Sequence, residues 1–146
     1  MSRAARAAQV QVVLVQHEED SGSLAVGSEG WQLAEGLLTS REDLRVHKKT
    51  PNSFHETDLH SLLRERGVTR IVTCGLQTEF CVDTTVRQAL ALGYDVVLAA
   101  DAHSTTDSDT LSAAQIASHH NRTLRWMNGF AAKISVVRSQ DIRFDA

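Results

Sequence analysis

Cysteine and proline are scarce in this chain, and its apolar runs are short. Cys74 and Cys81 are the only cysteines among 146 residues. They sit in different local settings, which excludes a disulfide framework and points to a reducing, cytoplasmic location. The one proline, Pro51, argues against a helix or a central strand at its position. No apolar run approaches the roughly 20 residues needed to cross a bilayer. The opening MSRAARAAQ carries Arg3 and Arg6 but leads into no apolar signal core with a cleavage site, so no secretory signal is expected. A net charge of −3 at pH 7 gives no electrostatic case for nucleic acid or for an anionic membrane. Repeats, low-complexity tracts and zinc-type ligand spacings are also missing. No G-x-G-x-x-G follows a strand, which disfavours a flavodoxin-like or Rossmann-type nucleotide binder.

What is present is an ordinary globular composition, 42% hydrophobic and 23% charged, in a length that suits one domain over residues 1–146 with a real core. Ala4 to Gln9 reads as the tail of a helix and Val10 to Val15 as a buried strand ending at Gln16-His17. Glu18 to Gly30 is loop, and Trp31 to Leu38 reads as a helical turn or two. Asp43 to His47 is a short strand followed by Lys48-Lys49. Thr57 is placed to cap a helix carrying Leu59, Leu62 and Leu63, with Gly67 as its stop. Asp95 to Ala100 is a strand, and DAHSTTDSD a loop. A long helix with Leu111, Ile116, His119, His120, Leu124 and Trp126 follows. Lys133 to Val137 closes as a strand, with SQDIRF as a terminal turn. This alternation predicts an α/β fold of three layers, α-β-α, around a mainly parallel sheet with right-handed crossovers.

The stretch Val68 to Ala91 organises the rest. Val68 to Cys74 suits a strand, Gly75 to Phe80 a tight bend, and Val82, Val86, Ala89 and Leu90 fall at helical spacing before the stop at Gly93. Cys81 thus lies where a strand's carboxyl end meets a helix start, the usual ligand position in open α/β sheets. A helix N-terminus favours a thiolate. Position alone leaves Cys81 open as either a nucleophile or a small buried hydrophobe. Cys74, inside the apolar run, reads as core packing. His17 at a strand end reads as a hydrogen-bonded residue or a ligand to substrate or metal, with no second metal ligand at a persuasive spacing. Lys48 and Lys49 alone would read as solvated charge.

Three motifs in the right order resemble the isochorismatase-like cysteine hydrolases, the superfamily of nicotinamidases and N-carbamoylsarcosine amidohydrolases. GLQTEFCV, from Gly75 to Val82, matches a G-x-x-T-x-x-C-V pattern around a nucleophile. KKTPNSFHETDL places Lys48 six residues before Phe54, similar to the family's lysine ahead of S-A-F and T-x-L. DAHSTTDSDTLSAAQIASHHNRTL is similar to the segment after the family's fifth strand. The resemblance implies Cys81 as nucleophile and Lys48, or else Lys49, as its charged partner. It implies a cis peptide between Leu76 and Gln77 and an oxyanion hole that includes backbone N–H groups of Gln77 and Cys81. Phe54, Phe80, Thr78 and His17 are the expected pocket residues, with a core role equally open for the two phenylalanines. The implied activity is hydrolysis of a small molecule's C–N, amide-type bond through a Cys thioester. True isochorismatases lack the cysteine, so vinyl-ether cleavage is the less favoured reaction. No cofactor is expected. No metal is expected either, since the D-x-H ligand set of the nicotinamidases is not visible. A homo-oligomer follows from the resemblance only.

The sequence departs from the pattern at its start. The resemblance calls for a catalytic Asp in an I-D-x-Q strand near the N-terminus, and no such motif is present. SRAARAAQVQVVLVQH resembles the end of the family's first helix followed by its second strand. The expected fold is therefore N-terminally truncated, lacking a strand near the centre of the sheet. A start downstream of the true one, a shortened copy, or a sheet that re-pairs or borrows a strand from another subunit would each account for this, the first two being favoured. Glu18, Glu19 or Asp20 would replace the Asp only by chance. The rival to a hydrolase is an inactive remnant acting as a binding or oligomerisation domain.

Overall fold

A computed structural model describes residues 1–144. In chain order the elements are α1 (Ser2–Ala7), β1 (Val13–His17), β2 (Leu44–Lys48), α2 (Leu59–Glu65), β3 (Arg70–Leu76), a π-helical turn (Thr78–Val82), α3 (Asp83–Ala91), β4 (Asp95–Ser104), α4 (Ala113–Arg125), β5 (Ile134–Val137) and a final 3-10 turn (Ser139–Asp141). Every strand pairing is parallel, as the alternation of strands and helices requires.

The strands form two sheets rather than one, β1–β2 and β3–β4–β5. β1 and β3 do not hydrogen-bond to each other, so each has one unpaired edge among the described residues. Side chains join what backbone bonds do not. Val46 of β2, Leu59 and Leu63 of α2, Val86, Ala89 and Leu90 of α3, Val96 and Leu98 of β4 and Leu124 of α4 form one buried cluster. The α3 positions recur at three and four residues, so one stripe of that helix meets the core. β4 is covered on both its edges by β3 and β5, which suits its near-continuous apolar run from Val96 to Ala99.

Several boundaries differ from the sequence reading, each for a local reason. β1 begins at Val13, not Val10, because Gln9 adopts a positive φ of 58° and the Val10 N–H still closes the end of α1 on Ala5 O. Trp31 to Leu38 forms isolated turns instead of a helix; Leu37 and Leu38 are exposed and have no core to pack against. Thr57 does accept an N–H from Leu59, but Asp58 is the residue at the helix boundary. β3 runs on through Leu76, and β4 runs on through Ser104, because after an irregularity at Thr73/Gly75 the two strands pair again at Gly75–His103 and Leu76–Ser104. Gly75 has φ +124°, a conformation that side-chain-bearing residues rarely adopt. Asp101 to Ser104 is therefore strand, not loop. Leu111 and Trp126 lie just outside α4 and are exposed. Cys74, read as core, is an exposed residue of β3, the strand with an unpaired edge.

Candidate active site

β2 delivers the lysine. Its side chains alternate, as a strand's must, so Val46 and Lys48 are buried while Arg45 and His47 face out. Lys48 is 5% exposed. Its Nζ donates to Cys81 Sγ at 3.2 Å and to the Thr50 carbonyl at 2.8 Å, and stands 3.4 Å from His17 Nδ1. Lys49 points the other way and pairs with Asp20 in solvent. Lys48, not Lys49, therefore faces the cysteine. Strand alternation was the signal in the sequence that distinguishes the two.

The chain just after Lys48 is fastened to α3. Thr85 Oγ1 accepts the Ser53 N–H at 3.1 Å and lies 2.9 Å from the Ser53 hydroxyl, and both residues are buried. The cysteine arrives on the bend after β3. The Leu76–Gln77 peptide is cis, the Phe80 and Val82 N–H groups both donate to Gln77 O, and Cys81 is half-buried in the turn before α3. Cys81 thus lies two residues before the regular helix. Cys74, although exposed, has enough protein around its sulfur for desolvation to push its thiol above the ordinary range.

The other expected site residues divide. His17 joins the cluster through Lys48. Phe80 and Leu76 are exposed beside the bend. Phe54 packs on the core and stacks over Tyr94, with ring centroids 5.9 Å apart. Thr78 is 0% exposed and lies 2.9 Å from His103 Nδ1, so it lines no open pocket. The acidic residues after β1 stay away from Cys81: Glu18 holds His47, and Asp20 holds Lys49. Glu79, two residues before Cys81, accepts the Thr105 hydroxyl on one carboxylate oxygen while the other is buried without a partner. Two surface clefts lie along 39–45 and between Arg45–His47 and Glu56–Leu62, and neither includes Lys48 or Cys81. Ser53, His103 and Asn121 fall within motifs that carry the resemblance, yet neither they nor Thr85 were singled out in the sequence reading, because their partners are distant in the chain.

The chain as a whole is similar to known proteins. A family model described as "Isochorismatase domain" matches residues 1–128. Streptothricin hydrolase of Streptomyces noursei is 36% identical over 138 residues, covering 89% of this chain and 53% of that protein. The secreted isochorismatase effector Isc1 of Verticillium dahliae is 38% identical over 114 residues, 76% of this chain and 60% of its own length. The chain thus spans about half to three-fifths of the length of these curated relatives. Among solved structures, an isochorismatase family protein superposes with a TM-score of 0.83 at 38% identity, covering 93% of this chain and 78% of that one. A cysteine hydrolase from Pseudomonas syringae pv. phaseolicola gives 0.84 at 28%, covering 95% and 73%. On sequence and fold alike, this chain belongs to the isochorismatase family.

Proposed function

We propose that the chain is a cysteine hydrolase that cleaves the C–N bond of a small amide through a thioester on Cys81. One observation carries this reading. Lys48 is buried, and a buried ammonium is costly unless an opposite charge accompanies it. Among the described residues no carboxylate pairs with Lys48, and the one neighbour able to become an anion is the Cys81 thiol at 3.2 Å. A thiolate–ammonium pair satisfies both groups and makes the sulfur nucleophilic.

In this reading the thiolate attacks the amide carbonyl, forming a C–S bond as the C=O electron pair moves to oxygen. N–H groups of the bend at Gln77 and Cys81 face that oxyanion. Collapse restores C=O and breaks C–N, and the nitrogen takes a proton from the Lys48 ammonium. Water then attacks the thioester, Lys48 accepts the water proton, and the acid leaves as the thiolate re-forms. His17, whose Nδ1 stands 3.4 Å from Lys48 Nζ, is a second acceptor within reach. That a relative similar over most of this chain is a hydrolase by name supports hydrolysis. The small-molecule class of substrate follows from the same reading.

The test is alkylation of Cys81 by iodoacetamide in a Cys74→Ser background, across pH. Cys81 is expected to react faster than free cysteine at pH 7, and Lys48→Ala to slow it about tenfold or more, since the thiolate that the ammonium accompanies is the reacting species. Ordinary thiol reactivity, unchanged by Lys48→Ala, would leave the chain a non-catalytic binding or oligomerisation domain.

A further inference from the structure

Behind the bend runs a line of buried polar groups that the proposed reaction does not use. Thr78 Oγ1 lies 2.9 Å from His103 Nδ1, His103 Nε2 lies 3.0 Å from Asn121 Oδ1, and Asn121 Nδ2 donates to the Ala100 carbonyl at 2.9 Å. Thr78 and His103 are both buried. The line connects the first residue of the turn bearing Cys81 to β4 and α4, two elements of the rigid core.

Its direction can be fixed from its far end. A carbonyl accepts only, so the Asn121 group facing Ala100 O is the NH₂, and its oxygen faces His103. His103 Nε2 must then carry a proton to donate. A neutral imidazole has its lone pair on Nδ1, and so the Thr78 hydroxyl donates to it. The order is Thr78 O–H to Nδ1, Nε2–H to Asn121 O, and Asn121 N–H to Ala100 O, so both ring nitrogens of His103 are used.

We infer that His103, held as its Nε2–H tautomer by Asn121, is the positioning residue for the nucleophile turn, fixing Thr78 and through it the placement of Cys81 against Lys48. This rests on the functional reading given above for Cys81, although the fixing of the turn can be measured apart from it. The device suits the local backbone. The turn Thr78–Val82 is π-helical, a wider and rarer winding than an α-helix, and it needs an outside anchor to hold one geometry. Leu76 before the turn and Phe80 within it are exposed and add little packing; Val82 is buried in the core at the far end of the turn, which leaves the Thr78 end to be held by its hydrogen bond.

The test uses the full chain with Cys74→Ser. In the parent, the ¹⁵N shifts of the His103 ring are expected to be those of a neutral Nε2–H imidazole. His103→Leu and Thr78→Val should slow Cys81 alkylation about tenfold, short of the roughly 100-fold that a 1 Å misplacement costs, and speed amide exchange across residues 78–82. His103→Gln keeps an acceptor toward Thr78 and a donor toward Asn121, so it should restore both rates to within about threefold of the parent, whereas a merely space-filling role would treat Gln like Leu. An Nδ1–H or doubly protonated ring in the parent overturns the inference. So do unchanged alkylation and exchange in both His103→Leu and Thr78→Val. If the parent Cys81 reacts like free cysteine, the functional reading falls, and amide exchange at 78–82 alone still decides whether His103 fixes the turn.

Discussion

Lys48 and Lys49 are adjacent and chemically identical, yet one is buried against a thiol and the other is solvated beside Asp20. Cys74 and Cys81 differ too, the first exposed on β3 and the second half-buried against Lys48. Buried polar contacts around that pair set how firmly it is kept. Thr85 accepts the Ser53 N–H and shares a hydrogen bond with its hydroxyl in a buried place, and so ties the segment after Lys48 to the helix after Cys81. Thr85→Val keeps the shape but leaves the Ser53 N–H without its acceptor. A buried donor left so costs about 1–3 kcal/mol. Urea denaturation should show a loss in that range, and Cys81 alkylation should slow as the Lys48 side loosens. An unchanged midpoint would mean that the segment is held by something other than this pair of hydroxyls.

The elements show where sequence reading succeeds and where it stops. α4 was legible from the spacing of Ile116 and Leu124, while its cap, which sets its start after Leu111, went unread. Ser112 accepts the Gln115 N–H while the Gln115 side chain accepts the Ser112 N–H, a reciprocal cap written in four consecutive residues. Ser112→Ala should cost about 1 kcal/mol of stability, measurable by thermal or urea unfolding, and leave Cys81 alkylation unchanged, since the cap does not touch the bend. The strand-bend-helix around Cys81 was legible from residue spacing as well. Trp31 to Leu38 was misread as helical because apolar spacing alone cannot say whether a core stands opposite it. The extension of β4 to Ser104 was missed because it depends on re-pairing with Gly75 and Leu76, residues far away in the chain. That extension carries His103, which is why a residue tied to the site remained hidden in what read as loop.

At the scale of the whole molecule, two sheets share a core without sharing a hydrogen-bond ladder between β1 and β3. The first sheet is secured at its other end by α1. Arg6 forms a forked pair with Asp43 at 2.9 and 2.6 Å, and Asp43 also accepts the Ser40 N–H. The Arg6 hydrogen bonds hold the Asp43 carboxyl below its usual range despite its desolvation. A carboxylate with a lowered folded-state pKa stabilises the fold at pH values above its ordinary value, near 4, and that contribution fades as pH falls through the lowered value. Asp43→Asn should therefore melt earlier than the parent at pH 7, with the difference closing in acid. A gap that persists at pH 2 would assign the effect to packing instead. The unpaired edges carry a second expectation. Among the described residues β1 has an unpaired edge, and its Val15 is 38% exposed. Open apolar edges invite pairing with other chains, and an edge lysine opposes it. Light scattering should find large species growing with concentration in the parent and reduced in Val15→Lys. Equal scattering would show that the edge is already covered in solution.

The sequence by itself determined the parallel α/β architecture, the bend with its cysteine and the lysine expected to serve it, because those are carried by periodicity and by contiguous motifs. Only the tertiary structure decided that the lysine of β2 reaches the sulfur, that the strands divide into two sheets, and that His103 and Asn121 stand behind Thr78. Those outcomes depend on which distant segments share a register and a core, and no local run of residues encodes that.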